Sequence, residues 1–320
     1  MTTTEVPVVL SGYGPVGREY AGLLTERAGS WAERYGVRLR LVAVRGRRDQ
    51  TDVSGEVPPR ARWVGTEDLA ALLARTGAAA FAQAVPSDGA GTAADEALTA
   101  LRCGAHLITA TKSHLLTHWA ALERTARGAG RAVRLSAATG AALPAGDLAR
   151  AGLRGFDVRG VRGCLNGTAT FVLDRLAEGT PLADAVAEAQ RLGIAEADPG
   201  ADLSGADAAT KLRLLAALLW GWDPAAVEVV TEPITDALRG GAFRQVAAAT
   251  REQPGVVRVE LRAETGVLGA LTGPEKAVRY DCGDAGEVTV SGGRSSPRAA
   301  ALAMAKDTLA AALEGGAGPR

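Results

Sequence analysis

Four carboxylates and one lysine are gathered in residues 196–211, where Glu196, Asp198, Asp202 and Asp207 lead into Lys211. The run opens a long apolar helix that the spacing predicts to end near Trp220. Asp207 and Lys211 are four residues apart, so they share one helix face. On an exposed face such a pair contributes only about 0.3–0.5 kcal/mol. Lys211, however, directly precedes Leu212, Leu214, Leu215, Leu218 and Leu219 and so stands beside a buried stripe. Burial tends to lower a lysine pKa, and a neighbouring carboxylate holds the ammonium in place. The chemistry that this arrangement suits is proton transfer.

Composition supports attention to lysine. Of 36 basic residues only four are lysines, Lys112, Lys211, Lys276 and Lys306, and the rest are arginine. In an Ala-, Gly- and Arg-rich chain an ordinary surface cation drifts to Arg. A retained lysine is enriched for work that a permanently protonated guanidinium cannot do.

The elements that must position these groups begin at the N-terminus. Residues 6–11 read as a short buried strand, and 18–28 as a helix. Between them stands Gly12-Tyr13-Gly14-Pro15-Val16-Gly17, a G-x-G-x-x-G in the strand-to-helix context that dinucleotide binding requires. Gly12 allows the tight turn, Gly14 the approach of a pyrophosphate, and Gly17 close helix–strand packing; Pro15 and Val16 complete this cofactor-binding turn, and the N-terminus of the helix that follows faces the phosphates. A second strand, 38–44, ends in Arg45-Gly46-Arg47-Arg48 in place of the acidic residue that holds the ribose of NAD. Arg45, Arg47 and Arg48 therefore predict NADP as cofactor, with NAD possible. Pro86 and Ser87, in the 86–89 loop after a third strand at 78–85, fall where a nicotinamide ring would lie. Strand–helix alternation continues to residue 135 and predicts an α/β fold with a Rossmann, doubly wound sheet.

Beyond Pro144 the pattern changes. A strand at 158–165 ends in Asn166-Gly167-Thr168, helices follow at 169–177 and 181–192, and 251–264 and 277–291 read as paired strands. Residues 296–313 form a last helix. The domains expected are 1–135 plus 295–320 for the dinucleotide and an α+β unit, 136–294, for substrate and dimerisation.

These motifs resemble homoserine dehydrogenase. Leu165-Asn166-Gly167-Thr168, Ala195 to Pro199, and the Asp202–Leu212 run resemble that family's signature; Ile108 to Lys112 resembles its nicotinamide-side lysine motif, and Gly140 to Pro144 its interdomain hinge. The resemblance spans about residues 6–315. It implies interconversion of L-homoserine and L-aspartate 4-semialdehyde, in threonine and methionine biosynthesis, by a short form without a C-terminal regulatory domain. By position it implies Lys211, Lys112 and Asp207 as catalytic residues. It implies Glu196 as holder of the substrate ammonium, with Asp202, Asn166, Gly167 and Thr168 lining the substrate site and Lys112 also touching the cofactor. It implies a homodimer.

Some positions depart from the family. Thr111 stands where an Asn precedes the first lysine, Gln83 where an Asp is common, and Ile194 where an aromatic is usual. Ser136 replaces a glutamate that in many members helps to hold a monovalent cation, so no metal is expected. Such changes also fit a paralogue that reduces another small amino or hydroxy acid aldehyde in specialised metabolism. A catalytically silent NADP-binding regulator would tolerate loss of Lys211, Asp207 or Glu196, and all three are present.

Length and charge bound the rest. At 320 residues, 47% hydrophobic and 22% charged, the chain suits about two globular domains. Basic and acidic residues cancel, which disfavours nucleic acid or an anionic membrane as partner. The first residues lack signal-peptide character, and Cys103, Cys164 and Cys282 are scattered, so a cytoplasmic enzyme is expected. His106, His114 and His118 fall on different elements and are not expected to bind a metal.

Overall fold

The structure, a computed structural model, describes residues 3–87 and 90–315. Asp88 and Gly89 of the loop assigned to the nicotinamide, and the Gly-rich tail beyond 315, lie outside the described residues. The chain forms two compact units: residues 1–138 with 296–320, and residues 139–295. The division falls a few residues beyond position 135 because Ser136 is bonded into the first unit. Its amide and hydroxyl donate to the two carboxylate oxygens of buried Asp307, at 2.9 and 2.8 Å, on the helix Pro297–Gly315.

The first unit is built on strands β1 (Thr4–Ser11), β2 (Val37–Arg45), β3 (Asp49–Asp52), β4 (Val64–Gly65), β5 (Ala80–Gln83), β6 (His106–Thr109) and β7 (Val133–Arg134). Their order is β4-β3-β2-β1-β5-β6-β7. The β2-β1-β5-β6-β7 pairs are parallel, and β3 and β4 add an antiparallel edge. Val8, Val9 and Leu10 are fully buried, as β-branched and aliphatic runs are in a sheet covered on both faces. The chain leaves β1 for β2 on one side and reaches β5 on the other. That reversal opens a crevice at the carboxyl ends of β1 and β5, the usual ligand position in such sheets.

The second unit holds β8 (Gly160–Cys164), β9 (Glu228–Thr231), β10 (Arg244–Thr250), β11 (Val256–Arg262), β12 (Ala277–Asp281) and β13 (Glu287–Ser291), in the order β13-β12-β8-β10-β11-β9. The central strand, β10, was not expected from sequence. Its core, Val246-Ala247-Ala248-Ala249, carries alanine, which favours helix in isolation, and only pairing to β8 and β11 makes it a strand. Cross-strand register sorts the two faces. Val259, Ala247, Gly163, Val278 and Val290 form one row, and all but Gly163 pack in the core shared with the helix Ala206–Trp220. The next row is Arg258, Ala248, Arg162, Arg279 and Thr289, on the opposite face. The face that carries Ala247 is thus covered by the sheet's own helices; on the opposite face Val246, Cys164 and Ala277 are buried with Leu268 and Leu271, and the row beside them is charged.

Candidate active site

The glycine fingerprint lies where β1 turns into the helix Pro15–Glu26. Gly12 has φ +95°, and a Cβ there would stand 2.3 Å from the Ala84 carbonyl oxygen. A Cβ at Gly17 would stand 2.1 Å from the Gly12 carbonyl oxygen. Both positions therefore require glycine. Gly14 faces open space, and no side chain caps the helix it precedes, which starts with Pro15 at its first position. Free amides beside an open, side-chain-free surface fit a dinucleotide pyrophosphate.

The arginines at the end of β2 and just after it separate. Arg47 and Arg48 are exposed. Arg45, only 11% exposed, turns inward to Glu96 Oε1 at 3.2 Å. Glu96 also accepts from the Ser11 hydroxyl at 2.8 Å and lies 3.5 Å from Gln83 Nε2. Glu96 carried no signal in the sequence. It lies on the helix Ala90–Arg102 and gathers residues from the ends of β1, β2 and β5.

Pro86 and Ser87 are exposed, and the loop before them is pinned by Thr111. The Thr111 hydroxyl donates to the Val85 carbonyl at 2.8 Å and accepts from the Val85 amide at 3.1 Å. A threonine in place of the family's asparagine is thus tied into the backbone of the first unit. Lys112 follows at the start of the helix Ser113–Thr117 and is partly buried. His114 on that helix is fully buried, and burial pushes its pKa down to about 4, so it is neutral.

The second unit places the lysine–carboxylate cluster. Leu212, Leu214 and Leu215 of the helix Ala206–Trp220 are fully buried. Each such leucine contributes about 1.5–3 kcal/mol, so Lys211 rides on an anchored element. Its Nζ lies 2.5 Å from Asp207 Oδ2 and donates to the Leu165 carbonyl at 2.9 Å. The two side chains are 14% and 13% exposed. Asn166 completes the arrangement. Its Nδ2 donates to Asp202 Oδ1 at 2.6 Å and to Asp207 Oδ2 at 2.8 Å, while its Oδ1 accepts from the Ala169 amide and caps the helix Gly167–Ala177. One side-chain amide therefore starts a helix and orients two carboxylates.

The other residues expected on the substrate side differ in placement. Glu196 is exposed, and its backbone carbonyl accepts from Gln190 Nε2 at 3.2 Å. Gly167 is buried under the Pro274 carbonyl, which a Cβ would approach to 2.6 Å. Thr168 is buried, and its hydroxyl donates to the Ile194 carbonyl at 3.1 Å, tying the strand end to the start of the acidic loop. Asn166, Asp202, Asp207 and Lys211 are brought together by direct bonds; Gly167 and Thr168 support them from beneath.

A third lysine was missed. Lys276 is 1% exposed, and its Nζ donates to the Gly140 carbonyl and to the Ser295 hydroxyl, both at 3.0 Å. The scarcity of lysine was the one signal that could have found it, because no motif surrounds it.

A dinucleotide-binding Rossmann unit joined to a unit that carries a partly buried lysine–aspartate pair defines an NAD(P)-dependent oxidoreductase. The homoserine dehydrogenase family profile matches residues 144–309. Corynebacterium glutamicum homoserine dehydrogenase is 34% identical over 73% of this chain, and the match spans 51% of that protein, about half its length. An NAD(+)-dependent homoserine dehydrogenase of Pseudomonas canavaninivorans is 30% identical over 96% of both chains. A hyperthermophilic archaeal homoserine dehydrogenase solved in complex with NADPH shares the fold, with a TM-score of 0.83, 21% identity and coverage of 97% and 98%. The chain belongs to the homoserine dehydrogenase family.

Proposed function

We propose that this protein interconverts L-homoserine and L-aspartate 4-semialdehyde with NADP(H), accepting NAD(H) less well. The observation that carries the reading is the Lys211–Asp207 contact of 2.5 Å, buttressed by Asn166, in a chain of this family. When bound, the nicotinamide supplies or accepts the hydride. In the reduction direction Lys211 Nζ gives a proton to the former aldehyde oxygen, and Asp207 keeps that ammonium aimed before transfer. Its positive charge also stabilises the oxygen as negative charge builds on it. Glu196, exposed on the acidic loop, holds the substrate ammonium, with Asp202 further along the same loop and Gly167 and Thr168 shaping the floor. Lys112, in the first unit, serves the cofactor side. Gly12, Gly14, Pro15, Val16 and Gly17 hold the pyrophosphate, and Arg47 and Arg48 meet the 2′-phosphate; Pro86 and Ser87 border the nicotinamide.

Two departures from the family pattern have a local structural role, while a third, Ile194, accepts from the Thr168 hydroxyl beside the cluster and keeps a paralogue with another substrate as the alternative. Thr111 and Ser136 are each accounted for by bonds within the first unit, to Val85 and Asp307. Homodimer formation and a cytoplasmic location complete the proposal and rest on the family and on cysteine usage; among the described residues no helix is long and apolar enough to cross a membrane. The test is a panel of aspartate 4-semialdehyde and other small amino and hydroxy acid aldehydes, with NADPH and NADH oxidation followed. Turnover of another aldehyde well above aspartate 4-semialdehyde would overturn the substrate assignment.

A further inference from the structure

Lys276 takes no part in the reaction just proposed, yet it is fully buried just before β12. Its two acceptors belong to opposite ends of the second unit, which begins at Thr139 and closes at Ser295. The two end segments touch. Gly293, at φ +70°, would place a Cβ 2.5 Å from the Leu143 amide nitrogen, and the Gly292 amide donates to the Lys276 carbonyl at 2.9 Å. The Gly140 carbonyl also accepts from the Leu143 amide at 3.1 Å and so closes a tight turn. Within that turn Ala141 has φ +53°, the only positive φ at a non-glycine position among the described residues. A residue held in that region persists only where its surroundings over-determine it.

The charged groups that Lys276 feels lie on the helix Ala206–Trp220. Lys211 disfavours a second ammonium, and Asp207 favours it. Toward the 140–143 and 292–295 segments it meets an uncharged carbonyl and a hydroxyl. Glu275, next in sequence, is engaged by the Thr272 amide at 2.8 Å. Burial is the largest influence and brings the Lys276 pKa down to about 8.

We propose that Lys276 is a positioning residue for the reaction at Lys211: its buried ammonium pins the strained Gly140–Leu143 turn to the Ser295 segment and sets a second positive charge within electrostatic reach of the Lys211–Asp207 pair. This rests on the reading of Lys211 as the proton-transferring group. The pH dependence has a definite sign. Below about pH 8 the ammonium is present in folded and unfolded chains alike. Between about 8 and the ordinary lysine value of 10.5 the unfolded chain holds the proton and the folded chain has lost it, so stability rises with pH across that window. The charge that supports the site is lost over the same rise.

The test compares the full chain with Lys276→Met, which keeps length but no donor, and Lys276→Gln, which keeps a donor without charge. Urea unfolding between about pH 7 and pH 10 reads the ammonium without substrate: the wild-type midpoint should rise relative to both variants across that range. Identical pH dependence in all three proteins would overturn the proposal. Turnover with aspartate 4-semialdehyde and NADPH reads the positioning role. Lys276→Met should lower kcat by about 10–100-fold, the scale of a misplaced catalytic group, and should remove the alkaline decline of the wild-type profile near pH 8. Lys276→Gln should recover part of kcat but not the decline. Wild-type kcat and pH profile in Lys276→Met would also overturn the proposal. Absence of wild-type turnover on this pair would instead sink the substrate reading, and the Lys276 assignment would then stand or fall on the unfolding curves. If Lys276→Met does not fold, Lys276→Gln carries both comparisons.

Discussion

Asp207 Oδ2 receives two contacts at once, Lys211 Nζ at 2.5 Å and Asn166 Nδ2 at 2.8 Å. An i,i+4 pair on a free helix surface is worth about 0.3–0.5 kcal/mol and samples many rotamers. Here the aspartate is clamped from the opposite side by an amide that is itself fixed by capping a second helix. The ammonium is further directed by the Leu165 carbonyl.

Lys211→Ala is expected to lower turnover by about 10²–10⁴-fold, the usual contribution of a positioned acid. Lys211→Arg should not restore it, because a guanidinium keeps its proton. NADPH titration by fluorescence should change little, since the fingerprint glycines lie in the other unit. Near-full turnover in Lys211→Arg would show that the residue acts only as a charge.

Asn166→Ala removes the helix cap and releases both carboxylates. Loss of the cap should destabilise the protein by about 1 kcal/mol in urea unfolding. Turnover should fall further than that loss accounts for, because Asp207 no longer has a fixed place. Asn166→Ser keeps a capping oxygen but is too short to bridge Asp202 and Asp207. It should recover stability without recovering kcat; recovery of both would refute the orienting role.

Cofactor preference should follow the exposed arginines. NADPH is expected to bind at least about tenfold tighter than NADH, a difference of roughly 1.4 kcal/mol. Replacing Arg47 and Arg48 together by Ala should narrow the gap. Arg45→Ala should act differently, because Arg45 is paired with Glu96 in the interior of the unit. It should lower the melting temperature even without cofactor. Equal affinities for the two nucleotides in the unaltered protein would exclude the 2′-phosphate role of the loop.

Strain at Ala141 gives a stability prediction. An L-residue in the left-handed region costs roughly 1–2 kcal/mol that glycine does not incur. Glycine's greater freedom in the unfolded chain offsets about 0.5–1 kcal/mol of that. Ala141→Gly should therefore raise the unfolding free energy by a few tenths to about 1 kcal/mol. A clear loss of stability would mean that the turn tolerates alanine without strain.

Assembly is the remaining test. Sedimentation should give a dimer of about 65 kDa, twice the 32.7 kDa chain. The opposite face of the second sheet carries Arg162, Arg258 and Arg279 in one row, with Glu264 near Arg162 and Glu287 paired to Arg279. A dimer sealed through that face should weaken between low and high salt, because exposed ion pairs are screened. A monomer at micromolar concentration would refute the dimer.

Local chemistry made much of this protein legible in its sequence. The glycine turn after β1 is dictated by φ and by close approach at Gly12 and Gly17, which depend on neighbours a few residues away and on one adjacent strand. The Asp207–Lys211 pair follows from helical periodicity alone. What the sequence could not determine depends on partners far along the chain. The alanine-rich β10 becomes a strand only between β8 and β11, and the apolar face of its sheet turned out to be covered from within. Arg45 reads in the sequence as one of three arginines for NADP, but Glu96, 51 residues away, draws it inward. Lys276 stands 136 residues from Gly140, and nothing in its own neighbourhood announces a buried ammonium. Such contacts arise from desolvation and packing of distant segments, and only the tertiary structure decides which charges lose their water together.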